Sequence, residues 1–174
     1  MKASVVVGNP RPRSRTLTIA RAVADRVTAA TGAELVRVID LADHTAEIFD
    51  WPSEPMTALN DAIASSDLLV VASPTYKASY TGLLKAFFDR YPHNGLAGVT
   101  AVPVMTGSSA LHGMAVEVNL RQLLVELGAS VPTRGLFFNM CQMAELEKVV
   151  DNWAAENLTT TGPLGPRTRG AVQQ

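Results

Sequence analysis

Ala3-Ser4-Val5-Val6-Val7-Gly8-Asn9-Pro10-Arg11-Pro12-Arg13-Ser14-Arg15-Thr16-Leu17 is the stretch from which the rest of the chain is read. The run from Ala3 to Val7 is almost wholly apolar, as a parallel strand buried on both faces requires. Gly8 to Thr16 is a loop rich in Arg, Ser and Thr, and a helical pattern opens at Thr16-Leu17. Strand, polar loop and helix N-terminus together make a phosphate cradle. The helix start offers unpaired N–H groups and the positive end of its dipole. Hydroxyls add donors, and arginines add a planar fork of N–H groups that matches phosphate oxygens.

Outward from this stretch, strands and helices alternate. Leu17, Ile19, Ala20, Val23, Ala24 and Val27 recur at helical spacing, which predicts a helix over 16–30, stopped at Thr31-Gly32. Further strands are predicted over 34–39, 67–73, 99–105 and, around Gly135 to Phe138, within 130–138. Helices are predicted over 56–65, 81–91, 109–127 and 144–158, and 40–55 reads as loop. The predicted fold is α/β: a five-stranded doubly wound parallel sheet with helices on both faces. Residues 1–158 read as one domain. Residues 159–174, rich in Thr, Gly, Pro and Arg, read as a disordered tail.

The 174 residues carry 15 Lys and Arg against 16 Asp and Glu, a net charge of −1. No global attraction to nucleic acid or to a membrane surface follows, so the loop arginines are a local feature. A single cysteine, Cys141, excludes an internal disulfide and suits a reducing cytoplasm. It reads as a small buried apolar residue. No stretch reaches the ~20 apolar residues of a membrane span, and the chain reads as cytoplasmic.

Three loops fall after the first, third and fourth strands. They are Gly8 to Thr16, Ser73 to Gly82 and Thr106 to Gly113. A parallel sheet puts all three on one rim, where ligands of such folds bind. The first loop lacks Gly-x-Gly-x-x-Gly and the Gly-Lys-Ser/Thr of a P-loop. A monophosphate remains. The second loop, with its hydroxyls, amides and aromatic ring, suits a flat heteroaromatic ligand. No metal is expected, because no His, Cys and carboxylate cluster has ligand spacing. A Ser hydrolase is excluded by the lack of Gly-x-Ser-x-Gly.

Gly8-Asn9-Pro10-Arg11 with Ser14 and Thr16, Ser73-Pro74-Thr75-Tyr76-Lys77-Ala78-Ser79 with Gly82-Leu83-Leu84-Lys85, and Thr106-Gly107-Ser108 with His112 resemble the NAD(P)H-dependent FMN reductase family. Within it, the pattern is most similar to the flavin reductases of two-component alkanesulfonate-type monooxygenases. The resemblance runs from about Ala3 to Phe138 and implies a flavodoxin-like fold and FMN, with NADPH or NADH as hydride donor. It implies that Arg11, Ser14 and Thr16, helped by Arg13 and Arg15, grip the FMN phosphate. Pro74, Thr75, Tyr76, Lys77, Ala78 and Ser79 would line the isoalloxazine edge. Thr106, Gly107, Ser108 and Ser109 would hold its pyrimidine side, with His112 beside them. No catalytic side chain is implied, since the chemistry belongs to the flavin. A partner monooxygenase and a homodimer or homotetramer are also implied, and the apolar segment Tyr80 to Phe88, with Leu83, Leu84, Phe87 and Phe88, reads equally as a subunit interface or as an ordinary core helix.

In the flavin-exchanging members of the family, the fourth helix carries an extra residue, often Tyr, that forms a π-bulge. The corresponding stretch here, Val116-Glu117-Val118-Asn119-Leu120, has no aromatic residue. Two enzymatic alternatives therefore stand: exchange of free FMN, or retained FMN that reduces quinones, azo compounds or metal ions. A flavodoxin-type electron carrier is a third reading, disfavoured because such carriers are strongly acidic. Among the remaining candidates, Asp89 reads as a salt-bridge partner in an assembly. Trp51 reads as a residue able to reach the site or cap the core. His44 and His93 read as surface residues.

Overall fold

The computed structural model describes residues 1–158, so the expected tail lies outside the described residues. Five strands, β1 (Lys2–Val7), β2 (Glu34–Asp40), β3 (Leu68–Pro74), β4 (Thr100–Gly107) and β5 (Leu136–Asn139), form one sheet in the order β2-β1-β3-β4-β5. Every neighbouring pair is parallel. This is the flavodoxin-like strand order, and its switch point lies between β1 and β3. β3 is buried along its whole length, as a central strand covered on both faces must be.

Alternation along the strands feeds two apolar layers. Val5, Val7, Val70, Val102 and Val104 pack with Ile19, Val23 and Val27 of α1 (Arg15–Thr31) and with Val150 and Trp153 of α5 (Leu146–Asn157). Val6, Leu69, Val71, Ala101 and Met105 face α2 (Glu54–Ala64), α3 (Gly82–Phe88) and α4 (Arg121–Glu126). Ser14 caps α1 by accepting a hydrogen bond from the Leu17 amide at 3.3 Å, and Gly32 closes it in the left-handed region at φ 68°. Leu84, Phe87 and Phe88 of α3 are all within 1% of full burial. These three are core, so of the two readings open for the segment the core helix holds for them, while Leu83 is partly buried against the same cluster.

The expected continuous helix over 109–127 is broken in the structure. A 3-10 turn spans Ala110–His112, a π-turn spans Val116–Leu120, and α4 follows. The Arg121 amide donates to Val116 O, five residues back. A π-bulge is therefore present without the aromatic residue thought to accompany it. Its cause is tertiary. Glu117 pairs with Arg121 and accepts the Gly135 amide at 2.7 Å. The Arg121 guanidinium also donates to the carbonyls of Val131 and Thr133. These bonds fasten the turn to the segment leading into β5.

Burial alone would raise the Glu117 carboxyl. Hydrogen bonds from Arg121 and from the Gly135 amide outweigh it and hold the group below its ordinary value of 4.5. A carboxyl depressed in the folded state stabilises the fold above its unfolded value, and the gain is lost as pH falls through the folded one. Glu117→Gln is expected to lower stability at pH 7 by about 1 kcal/mol, a modest figure because the pair is partly exposed. The deficit should shrink as pH drops below about 4.5. Denaturant melts across pH check this, and a deficit independent of pH contradicts it.

Candidate functional site

The C-terminal ends of β1, β3 and β4 surround a cavity of about 490 Å³. Its first wall is the loop from Asn9 to Ser14 and the opening turn of α1. Gly8 seats this loop: its amide donates to Ala72 O at 2.8 Å and its carbonyl accepts from the Thr81 hydroxyl. Asn9 then folds the chain back. Its side-chain oxygen accepts the Arg11 amide at 3.0 Å, and its side-chain nitrogen donates to Thr16 Oγ1 at 3.0 Å. Arg13 adopts φ 50°, and its amide donates to Asp40 Oδ2 at 2.9 Å. Asp40, at the end of β2, thereby pins the bend that carries the arginines. The Arg11, Arg13 and Arg15 side chains have no ion-pair partner among the described residues.

Thr16 lines the cavity at the opening turn of α1. It is 2% exposed, and its hydroxyl is shared with Asn9 and with Thr106 Oγ1 at 3.1 Å. The side chain braces the loop against β4, while Ser14, Arg11 and Arg15 face the opening. The acidic residues favoured in most first helical turns are absent from α1. The dipole there is left for an external anion.

The second wall starts at Pro74, Thr75 and Tyr76. Thr75 donates its amide to Thr106 O at 2.7 Å, which extends the sheet pairing by one residue. Its Oγ1 is buried without a hydrogen-bond partner, an arrangement that costs free energy unless a ligand completes it. Tyr76 and Ser79 then exchange backbone hydrogen bonds of 2.8 and 3.1 Å around Lys77 and Ala78. Both tip residues have positive φ, 51° and 65°. This is the geometry of a type I′ turn, which favours Asn-Gly. Lys and Ala there cost on the order of 1 kcal/mol each. Asn119, in the π-turn, donates from Nδ2 to Ala78 O at 2.9 Å and supports the tip.

Gly107 and Ser108 form the third wall. A Cβ on Gly107 would stand 2.9 Å from the Phe137 ring and 3.4 Å from Thr75 Oγ1. Glycine thus lets β4 end flat against Phe137 and keeps space beside the orphaned hydroxyl. Met140, after β5, completes the lining.

The cavity gathers Arg11, Arg13, Ser14, Arg15 and Thr16 with Pro74, Thr75, Tyr76, Thr106, Gly107 and Ser108. Lys77, Ala78, Ser79, Ser109 and His112 lie outside its lining. Ser109 caps the short 3-10 turn through the Leu111 amide, with His112 at the end of that turn. Asn9, Pro12 and Met140 were missed by the sequence reading. The Gly-Asn-Pro turn could have signalled Asn9, whereas Met140 reaches the site only through the sheet order. Elsewhere, Cys141 is exposed and not buried. Asp89 pairs with Lys85 within α3. Trp51 is 64% exposed beneath the Arg90 guanidinium, 4.2 Å from its ring centroid.

An anion cradle at a helix start, an unsatisfied hydroxyl and a flat glycine-lined wall within one cavity fit a flavin mononucleotide in donor set and shape. In a sheet of this topology the rim at the carboxyl ends of the strands is where ligands bind. Residues 1–142 match the family described as NADPH-dependent FMN reductase, and the chain belongs to that family of flavin- and nicotinamide-using oxidoreductases. It is similar to the NADH-dependent FMN reductase SfnF of Pseudomonas putida, with 30% identity over 89% of this chain and 92% of that one. A quinone reductase of Pseudomonas putida is 28% identical over 98% of this chain and 88% of its own length. Among solved structures, the apo form of NADH:FMN oxidoreductase (EMOB) superposes with a TM-score of 0.77 at 30% identity, covering 93% of this chain and 91% of that one.

The seat of the first loop can be tested by packing. A Cβ on Gly8 would lie 2.5 Å from Leu84 Cβ and 3.1 Å from its Cα. Gly8→Ala should push α3 from β1 and cost about 1–3 kcal/mol. A lowered melting temperature by circular dichroism is expected, and a wild-type midpoint contradicts the packing.

Proposed function

We propose that the rim cavity binds FMN with its phosphate over Arg11, Ser14 and Arg15 and its ring between Thr75-Tyr76 and Gly107-Ser108. The observation that carries this reading is the meeting of unpaired loop arginines, the first turn of α1 and the orphaned Thr75 hydroxyl in one space. When bound, FMN supplies the chemistry by accepting a hydride from the nicotinamide of NADH or NADPH. The chain's part is to position and to stabilise. Arg11, Arg13 and Arg15 neutralise the phosphate, the Ser14 hydroxyl donates to it, and Thr75 and Tyr76 flank the ring edge. Lys77, exposed at the tip of its turn, is free to meet a phosphate of the nicotinamide nucleotide. Thr106, Gly107 and Ser108 hold the pyrimidine side. The domain spans 1–158, and the single cysteine suits a cytoplasmic setting.

Reduced FMN is then handed to a separate flavin-dependent monooxygenase. The π-turn at Val116–Leu120 supports this exchanging reading, because such turns gather at functional sites. The likeness to a quinone reductase supports the other reading, in which FMN stays bound and a second substrate is reduced. Steady-state kinetics separate them: intersecting patterns with free FMN favour exchange, and ping-pong patterns with a retained yellow cofactor favour retention.

The phosphate assignment predicts that Arg11→Ala with Ser14→Ala weakens FMN binding by about 1.5–3 kcal/mol for each charge-assisted bond lost. Riboflavin, which has no phosphate, should bind the variant as it binds the wild type. Fluorescence titration measures both, and unchanged FMN affinity removes the assignment.

The chain self-associates, in this reading, through the helical face beside the site. Leu111, Met114, Val118 and Val125, spread from the 3-10 turn through the π-turn to α4, are 93%, 64%, 47% and 55% exposed. An apolar stripe of that kind fits a second copy of itself. Met114→Lys with Val118→Lys should reduce the mass seen by light scattering to that of one chain. An unchanged mass contradicts this face as the interface.

A further inference from the structure

Asn119 belongs to the π-turn, yet its side chain reaches away from the helix to the loop that follows β3. Its amide nitrogen donates to the carbonyl of Ala78, the second of two left-handed tip residues. Both ends of this contact have opposite mechanical character. On one side, the π-turn is fixed: Val116 and Leu120 are buried in the core, and Glu117 and Arg121 bind the strand approaching β5. On the other, the Tyr76–Ser79 turn holds itself by two backbone bonds in a conformation its residues disfavour. A rigid donor bonded to a strained tip is a latch.

We propose that Asn119 is a positioning residue that holds the Tyr76–Ser79 turn in its strained form, so that Thr75 and Tyr76, which line the cavity at the base of the turn, stay placed for the flavin ring. This rests on the FMN reading above. Without the bond, the tip relaxes toward conformations favourable to Lys and Ala, and ring binding carries the cost of restoring it. The phosphate end of the cavity is built on β1 and α1 and does not share this contact. The latch therefore acts on the ring alone.

The test is a double-mutant cycle on the full chain. Asn119→Asp keeps the shape of the side chain and removes the N–H donor. FMN and riboflavin affinities should fall together by about three- to tenfold, the size of one ordinary hydrogen bond. A second variant, Lys77→Asn with Ala78→Gly, gives the tip residues that prefer this turn. In that background Asn119→Asp should change either affinity by less than about twofold. Asn119→Gln, which restores a donor, should recover part of the loss in the original background. An equal loss in both backgrounds makes Asn119 a merely structural residue and overturns the proposal, as does no loss at all. Failure of the wild-type chain to bind either flavin would instead overturn the FMN reading.

Discussion

The hydroxyl of Thr16 stands between Asn9 and Thr106, and the functional rim depends on that small buried contact. It joins the first loop, the start of α1 and the end of β4 into one rigid corner. A parallel sheet delivers the ends of β1, β3 and β4 to the same edge, but it does not by itself fix the loops that leave them. The Thr16 bridge, the Asn9 fold-back and the Asp40 carboxylate under Arg13 do so. Only then are the arginines and the first amides of α1 held toward one cavity without reorganisation on binding.

The opposite wall is organised by tension. The turn after β3 places Lys77 and Ala78 where glycine or asparagine would be at ease. Local strain of this kind persists only when the surroundings over-determine it. Here the surroundings are Ser73, whose hydroxyl accepts the Thr81 amide at 3.0 Å, and Asn119 on the π-turn. The two halves of the cavity thus rest on different supports: β1, β2 and α1 for the anion end, and the π-turn for the end assigned to the ring.

Much of this was legible in the chain itself. The Val-rich runs of β1 and β3 announced buried parallel strands, and the spacing of Ile19, Ala20, Val23 and Val27 announced α1. The three rim loops were readable because strand order follows from topology rules. What escaped was decided by contacts distant in sequence. The long helix over 109–127 was read from periodicity, but Gly135 and the carbonyls of Val131 and Thr133 recruit Glu117 and Arg121 and turn its middle into a π-turn. Aromatic residues in α3 suited an interface or a core helix equally, but α3 is short and sits between α2 and α4 over the sheet, so Phe87 and Phe88 are used up in the core. Thr16 was legible as a hydroxyl at a helix start, but its bond to Thr106, 90 positions along the chain, was not.

The central claim is that this rim binds FMN in position to be reduced by a nicotinamide nucleotide. Anaerobic mixing of the protein and FMN with NADH, and separately with NADPH, tests it most directly through the visible flavin absorbance. The account predicts that at least one donor bleaches the band at a rate that saturates with protein-bound flavin and falls in the Arg11→Ala, Ser14→Ala variant. A band that neither donor bleaches faster than it does in free FMN would contradict it.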